Sequence, residues 1–178
     1  MVGVPSRLRN TRAGRARRSG HATYLHRFGY VLRTSVAHPP PEIGELARCV
    51  VRHEAGDSSA PAASAASVEM ACRRLKGELP DLLGSGGIAA LMGRALHLAK
   101  RDNPLLAEVT VQTDASSCFS GLPKALARGT DEEAAAASAS VLAHLLGLLA
   151  LLLGEELGMQ PVRKLWPHVV SNVREIDP

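Results

Sequence analysis

The sequence predicts an all-α fold: a small bundle of four or five helices behind a disordered basic N-terminal extension. Three observations predict it. From Val68 onward, apolar residues recur at the three- and four-residue spacings of a helix face. Glycine and proline breaks fall between these stripes. No alternating polar and apolar stretch is followed by a second one, so no strand pair is expected.

The extension comes first. Residues 1–20 are mostly Arg, Ser, Gly and Thr and hold too little apolar surface to fold alone. In residues 23–34, Tyr24, Leu25, Phe28, Val31 and Leu32 fall on one helical stripe, with His26, Arg27 and Arg33 off it. Pro39, Pro40 and Pro41 are expected to stop any helix there, because proline lacks a donor and restricts the residue before it. Residues 42–54 have a short helical pattern in Ile43, Leu46, Ala47, Val50 and Val51. Residues 55–67, AGDSSAPAASAAS, read as a flexible linker. The expected division is a tail and linker over 1–67 and a helical domain over 68–178.

Within that domain, residues 68–83 group Ala71, Cys72, Leu75, Leu79 and Leu82, and Pro80 is expected to shorten or kink the helix. The run Gly84-Ser85-Gly86-Gly87 separates it from a helix over 88–101, closed by Asn103 and Pro104. Residues 105–118 have brief β character without a partner. Leu122, Ala125 and Leu126 suggest a short helix ended by Gly129. Thr130 at the N-cap with Glu133 three positions on is a capping box, and Asp131 and Glu132 complement the positive helix end. This longest helix is expected to reach Leu157 and stop at Gly158. A last short helix is placed from Pro161 to Trp166.

Charge divides along the same line. Residues 1–40 hold eight arginines, no lysine and no acid, so the other 13 of 21 basic residues face all 17 acids, a net of −4 over 41–178. The sequence pI near 9.3 is a property of the extension. Nucleic acid or an anionic membrane is therefore expected to bind through residues 1–40 alone, by charge without sequence readout. The extension also resembles a mitochondrial presequence, being Arg-rich and acid-free with an amphipathic stretch. Aromatic residues are 3% of the chain, too few for a stacking platform. Three cysteines without a CxxC pair exclude a zinc ribbon and a dense disulfide framework.

Residues 134–154 carry no formal charge, a length that spans about 30 Å of hydrocarbon as a helix. The strongly apolar part is only residues 141–153 and contains His144, and carboxylates stand on both flanks. A central bundle helix is the preferred reading and a membrane span the alternative. Ala143, Gly147, Ala150 and Gly154 form a separate stripe of small residues. This stripe predicts a helix-packing interface with its closest approach at Gly147.

His97, with Lys100 three residues on, resembles the phosphoacceptor helices of two-component signalling. The sequence departs from those patterns at Leu98, where kinases have an acid, and at Arg101, where phosphotransfer domains have glycine. No Gly-rich nucleotide-binding region follows. A solvated basic face with Arg94, Lys100 and Arg101 is the preferred reading. His144 is expected as a satisfied core or helix-interface histidine, and Cys72 and Cys118 as buried apolar fillers.

No HExxH, GxSxG or P-loop occurs, and no GxGxxG opens a helix after a strand. The sequence thus points to a non-catalytic α-helical protein-interaction or regulatory module, cytoplasmic and without cofactor or metal. Its partner is another protein or a second copy. The alternative is a helical protein anchored through residues 134–154, membrane-associated or mitochondrial. A third reading is a phosphoacceptor signalling domain using His97.

Overall fold

The computed structural model describes residues 38–112 and 117–175, and these form an all-α bundle. Residues 1–37, including the stripe over 23–34, lie outside the described residues. The described part carries seven α-helices: α1 Pro41–Ala55, α2 Pro61–Glu78, α3 Pro80–Asp102, α4 Leu122–Leu126, α5 Asp131–Leu153, α6 Glu155–Leu165 and α7 Pro167–Glu175. A 3-10 turn at Pro104–Leu106 and two short strands join α3 to α4.

α5 is the axis of the bundle. It packs against α1, α2, α3 and α6. Its capping box forms as predicted: Glu133 N–H donates to Thr130 Oγ1 at 3.2 Å, and Thr130 N–H donates to Glu133 Oε2 at 2.8 Å. By length and composition α5 could cross a membrane, but 67% of its most apolar 18-residue stretch is buried inside the bundle. Leu142, Leu146 and Leu149 are fully enclosed.

Several boundaries differ from those predicted, mostly because of proline. Pro41, Pro61, Pro80 and Pro167 each open a helix. At a first helical position the missing N–H is one that no carbonyl would have bonded, and the fixed φ already suits the helix. Residues 41–55 are accordingly no part of a tail. α1 buries Ile43, Leu46, Ala47, Val50 and Val51. The linker predicted over 55–67 is α2 from Pro61 onward, with Ser64, Ala65 and Ser67 buried. The packed core therefore begins at α1 rather than at Val68.

The reason lies in small side chains. Ser64, Ala65, Val68 and Ala71 of α2 are buried, as are Ala134, Ala137, Ser138 and Val141 of the α5 helix it packs against. Both Ser67 and Ser138 donate to the Ser64 carbonyl, at 2.9 and 3.1 Å. Residues of this size bring two helix backbones close and satisfy their own hydroxyls on the backbone. Without bulky apolar groups, the same composition reads as a linker.

Three further corrections concern α3, α5–α6 and the strands. α2 ends at Glu78 and the next helical stretch opens at Pro80; the break expected at Gly84 is present as a kink at φ 65°, ψ 167°, but it is confined to that one residue, and the helix resumes at Ser85 rather than at Ile88. α5 stops at Leu153 instead of Leu157, and α6 starts at Glu155, so that Pro161 lies inside α6 rather than at its start. Residues 110–111 do find a partner. Thr110 pairs with Ser120 and Val111 with Phe119, antiparallel. The Glu69 carboxylate of α2 holds this second strand, accepting the N–H groups of Cys118 and, at 3.2 Å, of Phe119.

Candidate functional site

The candidate site lies where α5 ends. Gly154 adopts φ 79°, ψ 158°, a region essentially confined to glycine, and breaks the helix there. α6 then folds back on α5. A Cβ placed on Gly158 would lie 2.6 Å from the carbonyl oxygen of Leu149 and 2.8 Å from the nitrogen of Ala150, so only glycine permits this approach. The tight hairpin encloses Leu149 and Ala150 and leaves the leucines at its tip on water. Leu151 is 43% exposed, Leu152 62% and Leu157 50%, on the last turn of α5 and the first of α6.

Glu155 and Glu156 stand between these leucines in sequence. Partial burial pushes the Glu155 carboxyl above the usual carboxylate range, with the Arg163 charge acting in the opposite direction. The α5–α6 junction thus presents three exposed leucines and two carboxylates within seven residues of sequence. The sequence did not single these leucines out. Leucine covers most of the circumference of α5, and which ones face water depends on where α6 turns back. The one local signal was Gly154 followed by Glu155 and Glu156.

The predicted stripe of small residues is divided between several environments. Ala143 and Ala150 are buried, Gly154 is the exposed helix break, and Gly147 is half-buried. Opposite Gly147 stands Pro39 of the segment leading into α1, whose Cβ would be 3.4 Å from a Cβ placed there. The four residues do not form one helix–helix seam. The glycine that admits another helix backbone is Gly158.

His97 is exposed on α3 with Arg94 and Arg101, and Lys100 is half-buried beside them. His144 is 3% exposed and its Nε2 lies 3.1 Å from Asp102 Oδ2 at the end of α3. Asp102 Oδ2 is also 3.6 Å from Nδ1 of His38. Burial holds the His144 imidazole below its ordinary pKa, opposed by its hydrogen bond to Asp102. Burial likewise raises both Cys72 and Cys118, Cys118 to about 11, so neither thiol is a ready nucleophile at neutral pH.

An open cleft of about 400 Å³ lies beside the first turn after Gly84. Its polar lining is Lys76, Ser85 and Gln112, and its apolar lining includes Ile88 and Met92. Among the described residues, no three His, Cys, Asp or Glu side chains converge in a way that could hold a metal ion. No protein-family model, curated protein or solved structure matches the chain.

Proposed function

We propose that the chain is a non-catalytic α-helical interaction module that docks a protein partner, or a second copy of itself, on the leucine tip of the α5–α6 hairpin. The observation that carries this reading is the exposure of Leu151, Leu152 and Leu157 together on a bundle that otherwise encloses its leucines well. Large apolar side chains left exposed within a few residues of one helix junction support a binding face there, where contiguous apolar patches mark interaction sites and single scattered ones do not. Fully burying one leucine contributes about 1.5–3 kcal/mol. The membrane-anchored alternative would require α5 to give up its packing against four other helices.

The test compares the full chain with its Leu152→Asp/Leu157→Asp variant. Cross-linking in cells with quantitative mass spectrometry, together with sedimentation of the purified chain over a concentration series, reads partner binding and self-association. Loss of a cross-linked partner or of self-association in the variant, at unchanged melting temperature, supports the reading. Identical partners and identical sedimentation in both chains overturn it.

A further inference from the structure

We infer that the outward face of α3 is a second docking surface, which takes a short acidic segment of a partner protein across Arg94, His97 and Arg101. This face belongs to a different helix from the leucine tip, and neither reading depends on the other. Three observations carry the inference.

The first is the register. Gly86, Ala90, Arg94, His97 and Arg101 follow one another at steps of four, four, three and four residues, and all are exposed. Residues at such steps lie along one side of a helix. That side of α3 is smooth over its first turns after Gly84 and cationic over its last ones, with half-buried Lys100 at the edge. The cationic part, from Arg94 to Arg101, runs about 10 Å along the axis.

The second is that these charges are left unanswered. Arg48, Arg73, Arg74, Arg128 and Lys164 each meet a carboxylate, at 2.6–3.7 Å. Among the described residues, no carboxylate pairs with Arg94, Lys100 or Arg101. No acid occurs from Leu82 to Arg101, nor from Ala134 to Leu153 of α5, the helix against which α3 chiefly packs. Asp102, next in sequence, is engaged by His144 Nε2 at 3.1 Å and lies 3.6 Å from His38 Nδ1. Glu78 at the end of α2 holds Lys164, and Glu108 beyond α3 holds Arg128.

The third is what a strip of this size can hold. A guanidinium grips a carboxylate through two parallel N–H donors. Nucleic acid draws its affinity from many phosphate contacts and from stacking of bases on aromatic rings. The described aromatic side chains, Phe119 and Trp166, are both buried. Residues 41–178 also carry a net charge of −4, 13 basic against 17 acidic residues, which repels the remainder of a long polyanion. A short run of Asp or Glu engages the strip without extending over that acidic surface. Gly86, lacking a Cβ, lets the backbone of such a segment lie close to the helix.

The test is an amide NMR titration of the full chain at low salt, with a hexaglutamate peptide and a hexathymidylate as probes. Binding at this face shifts the amides of residues 94–101 saturably with hexaglutamate. Arg94→Gln/Arg101→Gln weakens that response about tenfold, while Arg48→Gln/Arg128→Gln, which removes as much charge elsewhere, leaves it unchanged. All four substituted residues are exposed, so the α5 amides keep their wild-type pattern in both variants. Shifts confined to residues 1–40, with 94–101 unmoved, overturn the inference. Equal losses in the two variants also overturn it, assigning the response to net charge. A tighter response of 94–101 to hexathymidylate overturns it in favour of nucleic acid. Shifts of the same amides on dilution without a probe overturn it in favour of a second copy.

Discussion

His144 Nε2 meets Asp102 Oδ2 at 3.1 Å, joining the middle of α5 to the last residue of α3. The histidine is buried among leucines while its carboxylate partner is 35% exposed. Desolvation outweighs this partner and keeps the imidazole below its ordinary range.

That direction sets the sign of a pH dependence. Because the folded state binds the His144 proton less readily than the unfolded chain, acidification favours unfolding. Stability is retained above the unfolded histidine pKa of about 6.5 and is lost progressively as pH falls below it toward the lower folded value. His144→Gln keeps a donor for Asp102 and removes the titration. Thermal melts over this range should show a shallower pH slope for that variant than for the wild type. Asp102→Asn removes the group that opposes desolvation, and should move the His144 pKa read by NMR further down.

Trp166 and Glu54 supply a second test. Trp166 is 2% exposed and its Nε1–H donates to Glu54 Oε1 at 2.6 Å, an oxygen that also lies 2.9 Å from Arg74 Nη1. One carboxylate thus ties α1, α2 and the start of α7 together. Glu54→Ala strands a buried indole donor, which costs about 1–3 kcal/mol. Glu54→Gln retains an acceptor and should cost less. Trp166 is the single tryptophan, so fluorescence-detected denaturation reads both variants directly.

How much of this was legible depended on how local each signal was. The all-α class, the short helix at Leu122–Leu126 and the capped start of α5 follow from spacing and from Thr130 and Glu133, which act over a single turn. The helical stripe of α1 is legible in Ile43, Leu46, Ala47, Val50 and Val51, but the sequence assigns it to the tail, and residues 61–67 of α2 read as linker because a proline opens the helix and its buried face there is Ala and Ser. Only a partner helix makes such a face a core. The β pair is two residues long on each side, below any alternation a sequence can display. The leucine tip was hidden for a related reason: exposure of Leu152 is decided by Gly158, which brings α6 back along α5.

The hold of Glu69 on the second strand is testable by exchange. Its carboxylate accepts both the Cys118 and Phe119 N–H groups, and Arg73 stands 3.7 Å from the same side chain. An amide has only one acceptor oxygen. Glu69→Gln should therefore release one of the two amides, and Glu69→Ala both. Hydrogen exchange at Cys118 and Phe119 should accelerate in that order, while the amides of α5 keep their protection.

Two glycines on the α5–α6 hairpin should respond to alanine with opposite signs. Gly147 is in the interior of α5, where a methyl would stand at an ordinary contact distance of 3.4 Å from Pro39 Cβ. Alanine there loses no packing and restricts the unfolded backbone, so Gly147→Ala should stabilise by about 0.5–1 kcal/mol. Gly158 has the same helical backbone and would bring the same gain in propensity. Its methyl, however, would lie 2.6 Å from the Leu149 carbonyl oxygen and 2.7 Å from that carbonyl carbon. Backbone atoms cannot rotate away as a flexible side chain can, so the hairpin itself must open. Overpacking of this kind costs about 1–3 kcal/mol, more than propensity returns. For a chain of this length each 1 kcal/mol corresponds to about 2–4 °C in melting temperature. The Gly147→Ala chain should therefore melt above the wild type and the Gly158→Ala chain below it. Two shifts of the same sign would mean that α6 does not lie against Leu149, and that the leucines beyond it are not held at a tip.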